Sequence, residues 1–408
     1  MTEEVYGMKK ILMVLSVVLL VVTSFAADKT LQVWAMGEEA KKLDVMAQKF
    51  MKENPGVNVE IQAIPWGSAY DKLVTGIAGN QLPDLAQMGT TWMAPFGSMG
   101  AFEELTPYLK KSTVVKQDIF FPGSWETCKL DNGVYGIPWY VDTRVMFYRT
   151  DILKQVGFDK APQTWDELYA AAKKLAARGK GMYAVSLLYT GVFGNEFMPF
   201  VWQAGADLFD SKGNITVTDP KFVQAMEYYA KFFWEGLAPM TNEDLFQAFS
   251  SGTIPIFFSG PWMVTMLNEQ APNIKGKWAV AMMPKNKTRD SFVGGSNLVI
   301  FKSSKNKDLA WKFIEFLSKP ENQLQWYKTV SSLPAVKSAW NYPEIAKDPM
   351  IKVFGDQMEE ARATPNIPQW EEIANAISAR MQEVIYQKTT PQKAAEALKN
   401  DIQKIMSR

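Results

Sequence analysis

Residues 135–151 read YGIPWYVDTRVMFYRTD. Tyr135, Trp139, Tyr140, Phe147 and Tyr148 make the stretch densely aromatic. Set into that apolar run are Asp142 and Arg144, charges that a buried strand excludes unless they are paired or hold something. Pro138 turns the chain. After Arg144, the run Val145-Met146-Phe147-Tyr148 reads as a short buried strand. Aromatic faces beside a carboxylate and a guanidinium suit a polar, ring-shaped ligand. A buried strand ending in an ion pair fits the same letters, and on this stretch alone both readings stay open.

Upstream, Thr30–Trp34 alternates as a strand. Glu38–Met51 carries Leu43, Met46, Ala47, Phe50 and Met51 at helical spacing, and Asn54-Pro55-Gly56 stops that helix. Val57–Ile61 alternates again. Trp66-Gly67-Ser68 leads into a helical run over Ala69–Ala78, and Pro83–Met88 is a third short strand. This alternation of strand and helix predicts a parallel sheet covered on both faces, with ligands at the C-terminal ends of its strands. By that rule Trp34, Gln87 and Trp92 fall where the first and third strands end.

Downstream, Thr164 and Glu167 have capping-box spacing and open a helix that runs to Arg178-Gly179. Asp219-Pro220 caps Lys221–Trp234, and Gly252 ends a helix over Glu243–Phe249. Thr253–Phe258 is an apolar strand, followed by the turn Ser259-Gly260-Pro261-Trp262. A strand over Trp278–Met282, then Gly294-Gly295-Ser296-Asn297, then a strand over Leu298–Phe301 follow. The rest is mainly helical.

A chain of 408 residues is long enough for two domains. Lys and Arg total 44 against 43 Asp and Glu, a net charge of +1 without a basic block, which argues against a nucleic-acid partner. Histidine is absent, which removes Ser–His and Cys–His catalysis and His-ligated metals. Cys128 is the single cysteine, so neither an intrachain disulfide nor a Cys-rich metal site is expected. No metal and no cofactor is expected.

Met8-Lys9-Lys10, the apolar run Ile11–Val22 and Thr23-Ser24-Phe25-Ala26-Ala27 have the order of an export signal. It spans residues 1–26, with a start at Met8 and a cut between Ala26 and Ala27. The apolar run is shorter than the roughly 20 residues a membrane span needs. No cysteine follows it, so the expected mature chain is periplasmic, soluble and without a lipid anchor.

Several segments lie in one order across nearly the whole mature chain: NPGVNVEIQAIPW, QLPDLAQMGTTW, YGIPWYVDTRVMFYRTDIL, PQTWDEL, FSSGTIPIFFSGPW, GGSNLVIFKSSKNKDLAWKFIEFL and TPQKAAEAL. In that order the chain resembles the extracellular solute-binding proteins of ABC sugar importers, the class that includes maltose-binding protein. The resemblance implies an α/β, type II periplasmic-binding-protein fold. Such a fold has two lobes, each a mainly parallel sheet flanked by helices, with the ligand in the cleft between them. By the same resemblance the lobes cover residues 27–140 plus 296–333 and 141–295 plus 334–408. The crossovers fall near Tyr140–Thr143, Gly294–Asn297 and Leu333-Pro334. It implies a monomeric binding protein, not an enzyme, that closes on a carbohydrate and delivers it to the membrane permease subunits of an ABC importer.

A pyranose offers an apolar C–H face to aromatic rings and a rim of hydroxyls to Asp, Glu, Arg, Asn and Gln. Candidate stacking residues are Trp34, Trp66, Trp92, Trp202 and Trp262, with core packing as their alternative. Trp262 stands at the loop where the family commonly supplies a stacking aromatic. Candidates for the rim are Asp142, Arg144, Gln87, Asn297 and Glu39, with Gly295 and Ser296 beside them at the second crossover. Arg362 is a candidate from the C-terminal lobe, with a structural ion pair as its alternative. Glu39 would also serve at the N-terminus of its helix. The number of tryptophans favours a disaccharide over a single ring.

Two other readings stand beside this one. A secreted glycoside-cleaving enzyme needs two facing carboxylates, which Asp142 and Glu39 could supply. The same fold could instead bind a polyamine, a glycerol phosphate ester or a metal. Few acids among the aromatics, one arginine and no histidine speak against these in turn.

Overall fold

The first strands form where alternation predicts them, but they run further. In a computed structural model describing residues 29–130, 133–191, 193–241 and 244–408, β1 covers Lys29–Met36, β2 Val57–Ile64 and β3 Leu85–Gly89. The export signal expected over residues 1–26 lies outside the described residues. Leu31, Val33 and Ala35 of β1 are buried in turn, as a period of two requires. The helix expected over Glu38–Met51 is broken at Leu43 into Gly37–Lys42 and Asp44–Glu53. Helix Trp66–Ala78 starts directly after Pro65.

The aromatic stretch forms two strands. β4, Ile137–Thr143, is buried along its whole length, and β5 is Val145–Arg149. Arg144 alone separates them, yet they belong to different sheets. Besides a separate two-stranded pair, Lys129–Leu130 with Gly133–Val134, the remaining strands are β6 Val185–Ser186, β7 Ile256–Ser259, β8 Trp278–Ala281, β9 Ser291–Ile300, β10 Leu333–Pro334 and β11 Ala361–Arg362. One sheet is seven-stranded, in the order β10-β4-β9-β3-β1-β2 with β11 on β9; the other is four-stranded, in the order β8-β5-β7-β6.

The two-lobed α/β architecture stands, but the sheets are not mainly parallel. β1, β2 and β3 are parallel. β9 runs against both β3 and β4, and β10 runs against β4. In the second sheet only β6 and β7 are parallel, while β5 is antiparallel to both its neighbours. The cause is the crossover. β4 leaves the first sheet at the cleft end and β9 returns through the same end, so β9 must oppose β1 to β3.

Gly294 and Gly295 lie within β9 rather than ahead of it, and the register with β4 slips between Ser296 and Asn297. A Cβ at Gly295, whose φ is +119°, would stand 2.3 Å from the Tyr140 carbonyl oxygen. Only glycine lets the two crossing strands approach so closely.

One apolar core runs behind the crossovers and contains residues of both sheets, Leu31 and Val33 from the first and Phe147, Phe257 and Trp278 from the second. A second core fills the far lobe around Trp202, Tyr229 and Trp370. A third lies under Trp92 and Tyr70. Among the described residues no helix is long and apolar enough to cross a membrane.

Candidate functional site

The C-terminal ends of the first sheet's strands converge on a cavity of about 690 Å³. β1 leads into Gly37, Glu38 and Glu39, β2 into Trp66, and β3 into Thr90, Thr91 and Trp92; Tyr140 and Asp142 come from β4. Across from them stand Arg144, Asn195, Trp262, Met266, Phe292 and Glu371, with Gly294 and Gly295 of β9 between.

One wall is aromatic. The rings of Trp66 and Trp92 meet edge to face at 5.2 Å, and Tyr70 backs Trp92 at 5.6 Å. Trp66 is 37% exposed, unusual for an indole in a packed lobe. Its ring lies over two glycines: a Cβ at Gly37 would stand 2.5 Å from its Nε1, and one at Gly89 3.6 Å from its six-membered ring. Gly37 also has a φ of +67°, which favours glycine there.

The other wall is charged and aromatic together. Arg144 donates from Nη1 to Asp142 Oδ1 at 2.7 Å, and its Nη2 lies 3.7 Å from Glu196 Oε1. Its guanidinium lies 4.9 Å from the Trp262 ring centre and 5.3 Å from that of Phe292. Burial pulls the Arg144 pKa down, but the Asp142 and Glu196 carboxylates outweigh it and hold the group above its usual value. Trp262 opens helix Trp262–Gln270 just past the end of β7, and its ring lies against Gly260.

Two carboxyls sit deeper. Glu39 is buried and accepts a hydrogen bond from Ser332 Oγ at 2.9 Å. Burial pushes its pKa up to about 7; Asp142 and Glu38 add to the rise, while its own backbone N–H and Ser332 oppose it. Glu371 opens helix Trp370–Ile385 in the far lobe. Burial raises its pKa, against the opposing pull of the Thr91 and Trp92 side chains of the near lobe. Glu371 Oε1 and Asn195 Oδ1 are buried and have no hydrogen-bond partner within the protein. Both are acceptors, and both residues line the cavity.

Of the residues expected at the ligand, the structure brings Glu39, Trp66, Trp92, Asp142, Arg144, Trp262 and Gly295 to this cavity. It does not bring Trp34, Gln87, Trp202, Ser296, Asn297 or Arg362. Because β1 runs to Met36 and β3 to Gly89, Trp34 and Gln87 lie inside their strands and not at the ends. Trp34 packs on helix Trp66–Ala78 with Lys72 over its ring at 4.7 Å. Gln87 braces the floor. Its Oε1 accepts from the Met36 N–H at 2.7 Å, and its Nε2 donates to the Tyr140 hydroxyl at 3.0 Å and to Ser296 Oγ at 3.1 Å. Ser296 also donates to the Tyr140 hydroxyl, and Asn297 donates to Thr127 Oγ1 at 3.0 Å. Trp202 is core, with Arg362 stacked on it at 5.5 Å and paired to Asp207 at 2.9 Å. Asn195, Phe292, Thr91 and Glu371 were not expected. Phe292 precedes the paired glycines by two residues, a signal that could have marked it; Asn195 and Glu371 simply open helices and read as ordinary N-terminal residues.

The family model of the bacterial extracellular solute-binding protein matches residues 36–324. The chain belongs to that family. Among solved structures, this solute-binding protein is similar to the sugar-binding protein MalE from the phytopathogen Xanthomonas citri. The two are 32% identical, with a TM-score of 0.83, over 93% of this chain and 98% of that one. It is also similar to an ABC transporter solute-binding protein from Thermotoga lettingae bound with α-D-tagatose, at 27% identity and a TM-score of 0.86, over 92% and 99% of the two chains. A galactooligosaccharide-binding protein of Bacillus subtilis is 27% identical over 386 residues, covering 91% of this chain and 88% of that protein.

Proposed function

We propose that this solute-binding protein captures a carbohydrate, a mono- or oligosaccharide, in the cavity between its lobes and delivers it to the permease subunits of an ABC importer. The observation that carries the reading is chemical. One cavity holds an exposed indole wall, Trp66 and Trp92, and two buried acceptors without donors, Asn195 Oδ1 and Glu371 Oε1. A pyranose supplies both an apolar face and hydroxyl donors. The relatives that bind sugars support it. Asp142 gives Oδ1 to Arg144 and keeps Oδ2 for a ligand hydroxyl. On this reading the lobes are residues 27–140 plus 296–333 and 141–295 plus 334–408, with the first crossing point placed at Thr143-Arg144, where the chain passes from one sheet to the other. On this reading the mature protein acts outside the cytoplasmic membrane, in the periplasm, as a monomer.

A second reading has one observation in its favour. Glu39, with a pKa near 7, and the Asp142 carboxylate face one cavity, the pairing a glycoside-cleaving enzyme uses. Against it, Asp142 is tied to Arg144. Incubation with oligosaccharides is expected to yield no new reducing ends, and their appearance would favour the enzyme.

The test of the binding reading is calorimetric titration of Asp142→Asn and Arg144→Lys beside their melting curves. A hydrogen bond to a charged group is worth roughly 1.5–3 kcal/mol, so affinity for the cognate sugar is expected to fall about ten- to a hundredfold. The lysine variant is expected to suffer as well, since an ammonium does not reproduce the planar fork stacked between Trp262 and Phe292. Parental affinity in both variants, with lowered melting temperatures, would make the pair purely structural.

A further inference from the structure

Beyond the charged wall of the cleft lies a second cavity of about 240 Å³. Arg144 and Trp262 line both cavities, facing each other at 4.9 Å, and among the described residues no other does. The second cavity sits at the C-terminal ends of the second sheet's strands. Ser186 ends β6, Phe258 and Ser259 end β7, and Met283 lies just past β8. It thus holds in the far lobe the place that the cleft holds in the near one.

Its walls do not suit a sugar. Leu187, Pro199, Phe200, Phe258 and Met283 are apolar. The Tyr229 hydroxyl is already given to the Leu188 carbonyl at 2.6 Å, and the Glu196 carboxylate faces Arg144 at 3.7 Å. Ser186 and Ser259 are the polar side chains that remain. A second pyranose placed here would leave most of its hydroxyls unpaired in an apolar chamber. An apolar cavity of about 150 Å³ accepts a benzene ring, so this one has room for a flat ring with a substituent.

We propose that the chamber takes the aryl aglycone of a glycoside whose sugar ring lies in the cleft, with the Arg144–Trp262 stack as the sill between the two. The preferred substrate class is then aryl glycosides over free sugars. This rests on the carbohydrate reading above and adds to it the group attached at the anomeric carbon.

The experiment is calorimetric titration of the whole chain with paired methyl and phenyl glycosides of glucose, galactose, mannose and xylose, in both anomers. For the sugar that binds, the phenyl glycoside is expected to bind about ten- to a hundredfold tighter than the methyl glycoside, from the apolar area the ring buries. Filling the chamber with Leu187→Trp is expected to abolish that advantage and leave methyl glycoside affinity unchanged. Leu188→Trp is the second variant, at a position 48% exposed where a larger side chain does not strain the core. Equal affinity of a methyl and phenyl pair, or a phenyl advantage that survives both substitutions, overturns the chamber and leaves the carbohydrate reading intact. Failure of every one of these glycosides, and of every free mono- and oligosaccharide titrated beside them, overturns both.

Discussion

Two arginines five residues apart in the central stretch do different work. Arg149 is spent on structure: Nε and Nη2 reach Asp151 at 2.9 and 2.8 Å, and Nη1 serves the carbonyls of Phe249 and Ser250. Arg144, five residues earlier, is half of an ion pair and half of an aromatic stack at the cleft. Nothing in the letters separates the two, because the difference lies in which sheet end each one reaches. Glu39 gives the sharpest test at this scale. Its carboxyl has an ordinary value of 4.5 and is pushed up to about 7 by burial. Between those values the folded protein keeps a proton that the unfolded chain has lost. Stability therefore falls as pH rises from about 4.5 to about 7 and levels off above, by roughly 3 kcal/mol. Glu39→Gln has no proton to lose and is expected to show no such slope from this site. Urea unfolding at intervals from pH 4 to pH 8 measures it, and parallel pH profiles for variant and parent would show that Glu39 ionises normally.

The elements were legible where one period dominates. β1 and β2, the helices Trp165–Ala176 and Pro220–Trp234, and the apolar strand before Ser259 all follow from pattern and caps; Thr164 does accept from the Glu167 N–H, and Asp219 from the Lys221 N–H. Strand ends were not legible, and the site depends on them. Trp34 and Gln87 were expected at the cleft because β1 was read two residues, and β3 one residue, short of its C-terminal end. Sheet sense was hidden for a related reason. β9 resembles a loop and then a strand, since its Gly294-Gly295 pair looks like a break, whereas the pair is what lets β9 cross β4. Gly295→Ala tests that account. A methyl group there meets the Tyr140 carbonyl and forces an unfavourable φ, and a loss of about 2 kcal/mol or more is expected. Chemical denaturation gives the number. A loss within about 0.5 kcal/mol, the range of ordinary surface substitutions, would mean that the crossing has room to spare.

At the scale of the molecule, the cavity is built by both lobes, and Glu371 of the far lobe shares it with Thr91 and Trp92 of the near one. A ligand that touches both sides favours the state in which they are close, because only that state offers it all its contacts. Small-angle scattering is expected to show a smaller radius of gyration with saturating cognate sugar than without; an unchanged value would argue for a preformed, rigid cleft. The two-lobed architecture could be read from the ordered segments along the chain, but the partners across the cleft, Asn195 and Glu371, could not, since both come from helix starts far apart in sequence. The central claim is that this cleft holds a carbohydrate. A thermal-shift screen against mono- and oligosaccharides, with spermidine and glycerol 3-phosphate alongside, tests it most directly. A cognate sugar at a thousandfold excess over its Kd stabilises the fold by about 4 kcal/mol, so a clear rise in melting temperature with at least one sugar is predicted. A rise with spermidine or glycerol 3-phosphate and with no sugar would contradict the account.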